Sequence, residues 1–263
     1  MIVKSSNIYE EVLKCQKAGI KSALVTVIDK EGSVPRDIGS KMLVKEDGSI
    51  INTIGGGAVE MMVIRDALDV IKKRKPKIVS YSLDEEIEGQ KTGMICGGKM
   101  DFFIEPIIFI PFIYIFGCGH IGQNLYQLAI MNNFNTIMID NRKEFADKEK
   151  FKDAQDVILC DYKEIEKFVN IKDDSYIVIV THSHFTDEIA LKSILKMNIN
   201  YKYLGVIGSK KKSEEMKKLL KQEGFSDDVI NSIRMPVGID IKSQTPEEIA
   251  ISIIAEIIKV KNS

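Results

Sequence analysis

Cysteine is scarce in this sequence and scattered along it. The chain has 263 residues but only four cysteines, and no two of them form a Cys-x-x-Cys pair. That spacing indicates neither a disulfide framework nor a zinc knuckle. The cysteines are Cys15, Cys96, Cys118 and Cys160. Any cysteine chemistry is therefore expected to be that of a single thiol.

Long apolar runs and a surplus of one charge are also missing. No apolar stretch reaches the roughly 20 residues that span a bilayer, and the first residues lack the pattern of a signal peptide. Lysine plus arginine (37) balance aspartate plus glutamate (38), and the two signs are interspersed. No basic face is then available for nucleic acid, and no polybasic tail for a membrane surface. We expect a cytoplasmic protein that binds neither.

The first 110 residues have the pattern of a small α+β domain. Asp47-Gly48 separates two short apolar segments, and because both residues accept positive φ it predicts a β-hairpin. In chain order, the predicted elements are a helix at 7–18, strands at 23–28, 41–44 and 49–54, a helix at 60–73, and strands at 77–83 and 100–105. A polar loop at 31–40 and three glycines at 55–57 connect them.

Residues 111–263 alternate strands with helices, which is typical of a doubly wound parallel sheet. The predicted strands lie at 112–116, 136–140, 157–160, 176–181 and 203–207. The predicted helices lie at 120–131, 163–169, 187–197 and 210–223, and a last one begins at the capping sequence Thr245-Pro246-Glu247-Glu248. The sequence predicts an α/β protein: a small N-terminal α+β domain, residues 1–110, followed by a Rossmann-like domain, residues 111–263.

A Gly-x-Gly-x-x-Gly turn opens the first helix of the second domain. Gly117, Gly119 and Gly122 follow a buried strand, which is the context in which this motif becomes informative. These glycines would let backbone amides approach an anion at the helix N-terminus. Asp140 ends the next strand, about 20 residues on, where a carboxylate can accept a hydrogen bond from a ribose hydroxyl. Taken alone the turn is weak evidence, because glycines also serve close packing.

A second glycine cluster ends the predicted hairpin. Gly55, Gly56 and Gly57 carry a high entropic cost in succession and leave amides bare, which favours anion binding over a simple turn. Arg36 follows Pro35 in the polar loop and offers a planar fork for an oxyanion, although a solvated surface arginine explains it equally well.

All three histidines fall at motifs of the second domain. His182 and His184 are spaced to share one face of an extended segment after a strand, where open α/β sheets place their ligands. His120 lies in the glycine turn and is expected to approach the same crevice. The three predict a metal or phosphate site, and the competing interpretation is that they cap helices or form ordinary hydrogen bonds.

The ordered set of motifs resembles the XdhC/CoxI family, the xanthine dehydrogenase accessory factors. The matching segments are Gly32-Ser33-Val34-Pro35-Arg36, residues 39–44, Asp47-Gly48, residues 54–60, Cys96-Gly97-Gly98, Phe103-Ile104-Glu105-Pro106, residues 117–122, Thr181-His182-Ser183-His184, residues 205–210, residues 236–240 and residues 245–250. The resemblance covers most of the chain, in order, and the set is far more specific than any single motif.

The resemblance implies a carrier of the molybdenum cofactor. Members of the family bind this cofactor, protect its sulfurated form and deliver it to an apo-molybdenum hydroxylase such as xanthine dehydrogenase. Two anion sites suit molybdopterin, which carries a phosphate, or a pyrophosphate in its dinucleotide form, beside a dithiolene-bound metal. Backbone amides and cations can hold the phosphate while a soft ligand stays near the metal. A sulfur-donating cysteine desulfurase is a further partner that such a role leaves open.

Within this interpretation, Cys96 is the candidate soft ligand. Its glycine-rich surroundings predict an accessible thiol that contacts molybdenum or takes part in sulfur exchange. Glu60 either stabilises the first turn of its helix or touches a pterin nitrogen. The predicted cofactor-binding residues are Arg36, Gly55, Gly56, Gly57, Glu60, Cys96, Gly97, Gly98, Gly117, Gly119, His120, Gly122, Asp140, His182 and His184.

Two other function classes remain open. An NAD(P)-dependent oxidoreductase would use the same glycine turn, and Asp140 favours NAD although the adjacent Asn141-Arg142 weakens that preference. We find no convincing catalytic acid/base set for it, such as a Tyr-x-x-x-Lys pair. A pure interaction scaffold is the third class, and the intact glycines argue against it.

A homodimer is also expected. A domain as small as the first one often needs extra burial, which a second copy can supply. The apolar side chains proposed for that contact are Met61, Met62, Ile64 and Leu68, together with the hairpin strand.

Overall fold

A computed structural model describes residues 7–82 and 98–263 of the chain. The chain divides into two compact units, Met1–Ile110 and Pro111–Ser263, and each is described by itself. Among the described residues, no helix combines the length and the apolar character that crossing a membrane requires.

The first unit is an antiparallel sheet with a helix on each face. Its elements are α1 (Ile8–Ala18), β1 (Ser22–Gly32), β2 (Lys41–Lys45), β3 (Ile50–Ile51), α2 (Gly57–Lys73), β4 (Lys77–Ser82) and β5 (Gly98–Ile107). The strand order is β3-β2-β1-β5-β4, with β1 at the centre. This is the small α+β unit that the sequence predicts.

Alternation along β1 explains the two helical layers. Val25 and Val27 are buried in the cluster that α2 covers, whereas Leu24 is buried in the cluster beneath α1. Successive side chains of a strand point to opposite faces, so each face of β1 presents apolar groups to one helix. The helix α1 is closed by Asn7, which accepts the Tyr9 N–H, and by Gly19 in the left-handed conformation.

Several boundaries in the first unit differ from the sequence prediction. The strand β1 continues to Gly32 because it pairs with β5 beyond an irregularity between Val27 and Asp29. The helix α2 begins at Gly57, earlier than the predicted residue 60. Pairing across a sheet depends on distant residues, so local sequence patterns do not fix where such a strand ends.

The second unit is a five-stranded parallel sheet covered on both faces. Its elements are β6 (Phe112–Phe116), α3 (His120–Met131), β7 (Asn135–Asp140), β8 (Asp156–Leu159), α4 (Ile165–Phe168), β9 (Tyr176–Ile179), α5 (His184–Lys196), β10 (Tyr203–Val206), α6 (Lys210–Gln222), α7 (Asp227–Ser232) and α8 (Pro246–Lys261). The strand order is β10-β9-β6-β7-β8. The predicted doubly wound, Rossmann-like arrangement is confirmed.

The chain reverses direction across this sheet between β6 and β9. From β6 it runs outward through β7 to β8, and then returns to the other side of β6 at β9. Such a switch point leaves a crevice at the carboxyl ends of the two strands, which is where open α/β sheets bind ligands. Strands β6 and β9 are buried along their whole length, so the crevice is built on rigid elements.

Capping residues set the helix starts in this unit. Ser183 and Thr186 form a capping box, so α5 begins at His184 and not at the predicted residue 187. Thr245 and Glu248 form the capping box that the sequence predicts for α8. The short helix α7, capped by Ser226, was not predicted, since six residues give too little periodicity.

Candidate functional site

The crevice between β6 and β9 contains two of the predicted motifs. The glycine turn of residues 117–122 follows β6, and residues 181–184 follow β9. Phe116 O accepts the Val180 N–H at 2.8 Å, which holds the two strand ends together. The parallel sheet thus brings the glycine turn and the Thr181-His182-Ser183-His184 segment side by side.

The three glycines of the turn serve different purposes. Gly117 has a φ of +113°, and a Cβ there would lie 2.3 Å from the Val180 carbonyl oxygen. A Cβ on Gly122 would lie 1.9 Å from the Gly117 oxygen. A Cβ on Gly119, by contrast, would meet no atom within 4 Å. Gly117 and Gly122 are therefore required for packing, and Gly119 is the one that leaves space for a ligand.

Gly119 is also the N-cap of α3. Its φ of −76° and ψ of −166° are accessible to any residue, and as a glycine it has no side chain to bond the first amides of the helix. Open space above such a helix start suits an anionic group, because the amide N–H dipoles point toward it. Packing and backbone strain do not explain a glycine at this position.

Asp140 ends β7 fully buried, and its carboxylate is saturated with donors. Oδ2 accepts the Cys118 N–H at 2.8 Å, and Oδ1 accepts the Arg142 N–H at 3.0 Å. The Arg142 guanidinium donates from Nε to Oδ1 and from Nη2 to Oδ2, each at 2.9 Å. A carboxylate has about four lone-pair sites, so this one has none left for a ribose hydroxyl. The role predicted for Asp140 does not fit this geometry.

The charge at this strand end is carried outward by Arg142. Burial alone would raise the pKa of Asp140, but the hydrogen bonds from Arg142 and from the Cys118 N–H hold that pKa below its ordinary value. The Arg142 guanidinium lies 3.7 Å from the centroid of the Phe145 ring, and the side chain is about a quarter exposed. A ligand at the end of β7 would meet this cation. In the sequence, Arg142 served only to weaken the NAD interpretation.

The thiols of the described residues are structural. Cys15, Cys118 and Cys160 are all buried. Burial raises the pKa of Cys118 to about 12 and that of Cys160 to about 11. A thiol with such a pKa has almost no thiolate at neutral pH and is a poor nucleophile. Cys96 and Gly97 lie outside the described residues.

A pocket of about 250 Å³ lies between the starts of α5 and α6. Its lining residues are Thr181, His182, Ser183, His184, Asp187, Ile207, Gly208, Ser209 and Lys212. Ser183 caps α5 and Ser209 caps α6, so two helix N-termini border this pocket. We call it the α5–α6 pocket. It holds two of the three histidines singled out in the sequence, His182 and His184.

His120 is placed elsewhere. It begins α3 with an exposed side chain, within electrostatic range of Glu247 at the start of α8. Across residues 7–82 and 98–263, no three histidine, cysteine, aspartate or glutamate side chains are grouped to hold a metal ion. The three-histidine metal site that the sequence suggested is therefore not formed here, because the histidines belong to two different helix starts.

Asp187 is a residue of this pocket that the motifs of the sequence did not single out. Its carboxyl is only 4% exposed, and its Oδ1 accepts both the Thr181 N–H at 2.9 Å and the Thr181 hydroxyl at 2.6 Å. Burial raises the pKa of Asp187 to about 6, with Thr181, His184 and His182 acting in the opposite direction. An acid in the first turn of a helix is usually an exposed partner of the helix dipole, so no local pattern indicated its burial.

The glycine triplet of the first unit already holds a carboxylate. Glu60 Oε2 accepts the Ile54 N–H at 3.1 Å and the Gly56 N–H at 3.2 Å, and it also accepts the Thr53 hydroxyl. The triplet was expected to leave its amides bare, but the Gly56 amide is bound by the chain's own anion. This geometry agrees with the helix-start interpretation of Glu60.

The loop that carries Arg36 packs against this triplet. A Cβ on Gly55 would lie 2.4 Å from Pro35 Cγ and 3.8 Å from Arg36 Cγ. A Cβ on Gly98 would lie 2.6 Å from the Ser33 oxygen, so the start of β5 touches the same loop. Arg36, Gly55 and Gly98 are thus drawn to one region of the first unit, and the Arg36 side chain is exposed there.

The apolar side chains proposed for a dimer contact are mostly used within the unit. Met62, Ile64 and Leu68 pack against the core under α2, and only Met61 is strongly exposed, at 58%. The homodimer stays a prediction, and α2 offers little surface for it.

Comparison with known proteins identifies relatives of both units. Residues 113–257 match the family described as the XdhC Rossmann domain, and residues 15–82 match the XdhC and CoxI family. Over 258 residues the chain is 31% identical to the Escherichia coli protein YqeB, named as uncharacterized, covering 98% of this chain and 47% of that protein.

Two further relatives carry functional names. A Bacillus subtilis protein, whose name describes a probable component of xanthine dehydrogenase, is 27% identical, over 61% of this chain and 46% of that protein. The Escherichia coli molybdenum cofactor insertion chaperone PaoD is 22% identical, over 93% of this chain and 85% of that protein. The chain thus spans about half the length of YqeB and of the Bacillus subtilis protein, and most of PaoD.

A solved structure shares the fold. The crystal structure of a xanthine dehydrogenase from Bacillus halodurans superposes with a TM-score of 0.52 at 22% identity, covering 97% of this chain and 95% of that one. The likeness extends over both units.

Proposed function

The chain belongs to the XdhC and CoxI family, and from that premise we propose that it is a molybdenum cofactor carrier. In this role it binds the cofactor, protects its sulfurated form and promotes its insertion into a xanthine-dehydrogenase-type hydroxylase. The name of PaoD and that of the Bacillus subtilis relative support the role. Residues 1–110 and 111–263 act as its two domains, in a cytoplasmic protein.

Gly119 is the observation that carries the proposal. It leaves open space at an uncapped helix start, beside the switch point of a parallel sheet. We assign this position to the phosphate of the cofactor, which the first amides of α3 would bind. Arg142 supplies a cation at the neighbouring strand end, suited to a further phosphate of a dinucleotide form. His182 and His184 face the same end of the sheet.

The first unit is proposed to supply the soft ligand. Cys96 precedes Gly98 by two residues, and Gly98 packs on the loop that carries Arg36. When bound, the cofactor supplies the molybdenum and its sulfido group. The residues of this chain bind it, with Cys96 as the contact to the metal and Arg36 as an oxyanion partner. A cysteine desulfurase and a second copy of the chain are further proposed partners.

A graded series at Gly119 tests the phosphate assignment. Gly119→Ala and Gly119→Val should fold like the wild type, because the backbone angles suit both residues and the added atoms meet nothing. Anaerobic binding of molybdenum cofactor should weaken stepwise from glycine to alanine to valine. Transfer to an apo-xanthine-dehydrogenase-type hydroxylase should decline in the same order.

Three results would contradict the proposal in different ways. A wild-type protein that binds no molybdenum cofactor removes the carrier function, and tight binding of NAD(P)H in its place would favour an oxidoreductase. Unchanged binding by Gly119→Val removes only the phosphate assignment. Unchanged retention and transfer by Cys96→Ala removes only the soft-ligand assignment.

A further inference from the structure

The base of the α5–α6 pocket holds a carboxyl oxygen that lacks a partner. Asp187 uses Oδ1 for both Thr181 bonds. Its Oδ2 accepts no hydrogen bond from any residue in the described part of the chain, although Asp187 is only 4% exposed and lines the pocket. Buried polar atoms are normally paired, so this oxygen calls for a donor from outside the chain.

The rim of the pocket has the opposite character. His182 and Lys212 are exposed beside it, and His184 lies at the first position of α5. The N-termini of α5 and α6 add positive dipole ends on two sides. A group that fills the pocket therefore meets an acceptor at the base and positive charge at the rim.

This polarity selects between ligand classes. A simple oxyanion such as phosphate suits the rim but would be repelled by the Asp187 carboxylate, which is mostly ionised above its pKa of about 6. A metal ion lacks a third side-chain ligand among the described residues. A molecule with N–H donors at one end and a negative group at the other satisfies both parts of the pocket.

We propose that the α5–α6 pocket binds an aminopyrimidine-type heterocycle, with Asp187 Oδ2 accepting its N–H donors and the anionic substituent facing Lys212 and the histidines. The inference rests on the proposed carrier function, because the pterin of the molybdenum cofactor has such a donor edge. It adds Asp187, Lys212 and Ser209 to the site. Asp187 then recognises the ring, while the glycine turn recognises the phosphate.

Asp187→Asn tests the sign of this interaction. Asparagine keeps Oδ1 for Thr181 and replaces Oδ2 with an NH₂ donor, so a donor ligand loses its partner and an anionic ligand gains one. The probe is pterin-6-carboxylate, a fluorescent pterin without phosphate or metal, titrated against the full-length protein. We expect wild type to bind it and Asp187→Asn to bind about tenfold or more weakly, as expected for a hydrogen bond to a charged group. Lys212→Ala should weaken binding less.

The matched control is Asp227→Asn, an acid in the first turn of α7 whose side chain is exposed. It should leave pterin affinity unchanged. If Asp187→Asn does not fold, Gly208→Val blocks the pocket instead, because a Cβ there meets its nearest atoms only at 3.7 Å. Blocking should abolish binding of the pterin.

The outcomes separate the two proposals. Equal or tighter pterin binding by Asp187→Asn, or no pterin binding by the wild type, overturns the inference about the pocket. Orthophosphate that binds the wild type and binds Asp187→Asn more tightly identifies a plain anion site, which also overturns it. The carrier function fails separately, through loss of molybdenum cofactor binding by the wild type.

Discussion

The guanidinium of Arg142 covers both oxygens of the Asp140 carboxylate, with Nε 2.9 Å from Oδ1 and Nη2 2.9 Å from Oδ2. The carboxylate is fully buried, while the side chain of Arg142 is about a quarter exposed. This two-point contact turns the end of β7 from an acceptor of hydroxyls into the support of a cation. The residue pair therefore decides which ligands this strand end can bind.

Removal of Arg142 should destabilise the second unit. Arg142→Ala leaves a buried carboxylate without its main partner, which typically costs about 3–5 kcal/mol in the free energy of unfolding. Arg142→Lys should recover only part of this loss, because lysine lacks the planar fork. Urea unfolding at pH 7 measures the change, with Lys143→Ala as the exposed neighbour that should change little. Equal stability of Arg142→Ala and Lys143→Ala would show that the pair is not stabilising.

Glu60 should stabilise the start of α2 through its carboxylate. Glu60→Ala removes the acceptor of the Ile54 and Gly56 amides and should lower the free energy of unfolding by about 2 kcal/mol, since partly exposed amides can turn to water. Glu60→Gln keeps one carbonyl oxygen and should lose less. The measurement is chemical denaturation of both variants.

An added anion distinguishes this role from simple packing. Acetate or phosphate should raise the stability of Glu60→Ala more than that of the wild type, because the emptied amides become available. If both proteins respond equally, the amides of residues 54–57 do not form an anion site even without Glu60.

Local patterns predicted the frame of the site well. The glycine turn, the end of β7 at Asp140 and the capping box at Thr245 all follow from residues close together in the sequence. The positions of residues 117–122 and 181–184 at one edge followed from the parallel topology. These features depend on periodicity and turn chemistry, which a single sequence records.

What the sequence did not reveal is how polar atoms are shared. Asp140 stands where a ribose-binding carboxylate would be expected, yet Arg142, two residues later, fills its lone pairs. Asp187 resembles an ordinary first-turn acid, yet the Thr181 hydroxyl and the fold of the β9–α5 turn bury it. Glu60 fills amides that three successive glycines would otherwise leave bare. Such outcomes depend on side-chain conformations and burial, which composition and spacing do not determine.

The stability of the protein should carry a pH dependence from Asp187. Its folded pKa of about 6 lies above the ordinary value near 3.9, so the folded state holds the proton more tightly than the unfolded state does. The stabilising contribution is therefore complete below about pH 4 and is lost as pH rises toward about 6. The resulting penalty at pH 7 is about 3 kcal/mol for a shift of about two units.

Asp187→Asn removes this titration. Relative to the wild type, the variant should be more stable at pH 7.5 than at pH 4, by up to about 3 kcal/mol in the difference between the two pH values. His182 and His184 also titrate near the pocket, so the comparison should be repeated in a variant with both histidines changed to glutamine. Parallel pH profiles for the wild type and Asp187→Asn would contradict the assignment of the raised pKa.

Gly117 and Gly119 should respond in opposite ways to the same substitution. Gly117→Ala forces a side chain into a φ of +113° and places its Cβ 2.3 Å from the Val180 oxygen, so the ends of β6 and β9 must separate. We expect a loss of more than about 2 kcal/mol, from backbone strain and the displaced strand end. Gly119→Ala should change the free energy of unfolding by less than about 0.5 kcal/mol.

The pair separates glycines kept for the fold from a glycine kept for a ligand. Thermal and urea unfolding of the two alanine variants gives the stability difference, and binding of molybdenum cofactor to Gly119→Ala gives the functional one. A stable Gly119→Ala with weakened binding means that selection at residue 119 acts through the ligand, because the fold alone would accept a side chain there. If Gly119→Ala instead unfolds as readily as Gly117→Ala, both glycines serve packing, and the space above the start of α3 loses its claim to be the phosphate site.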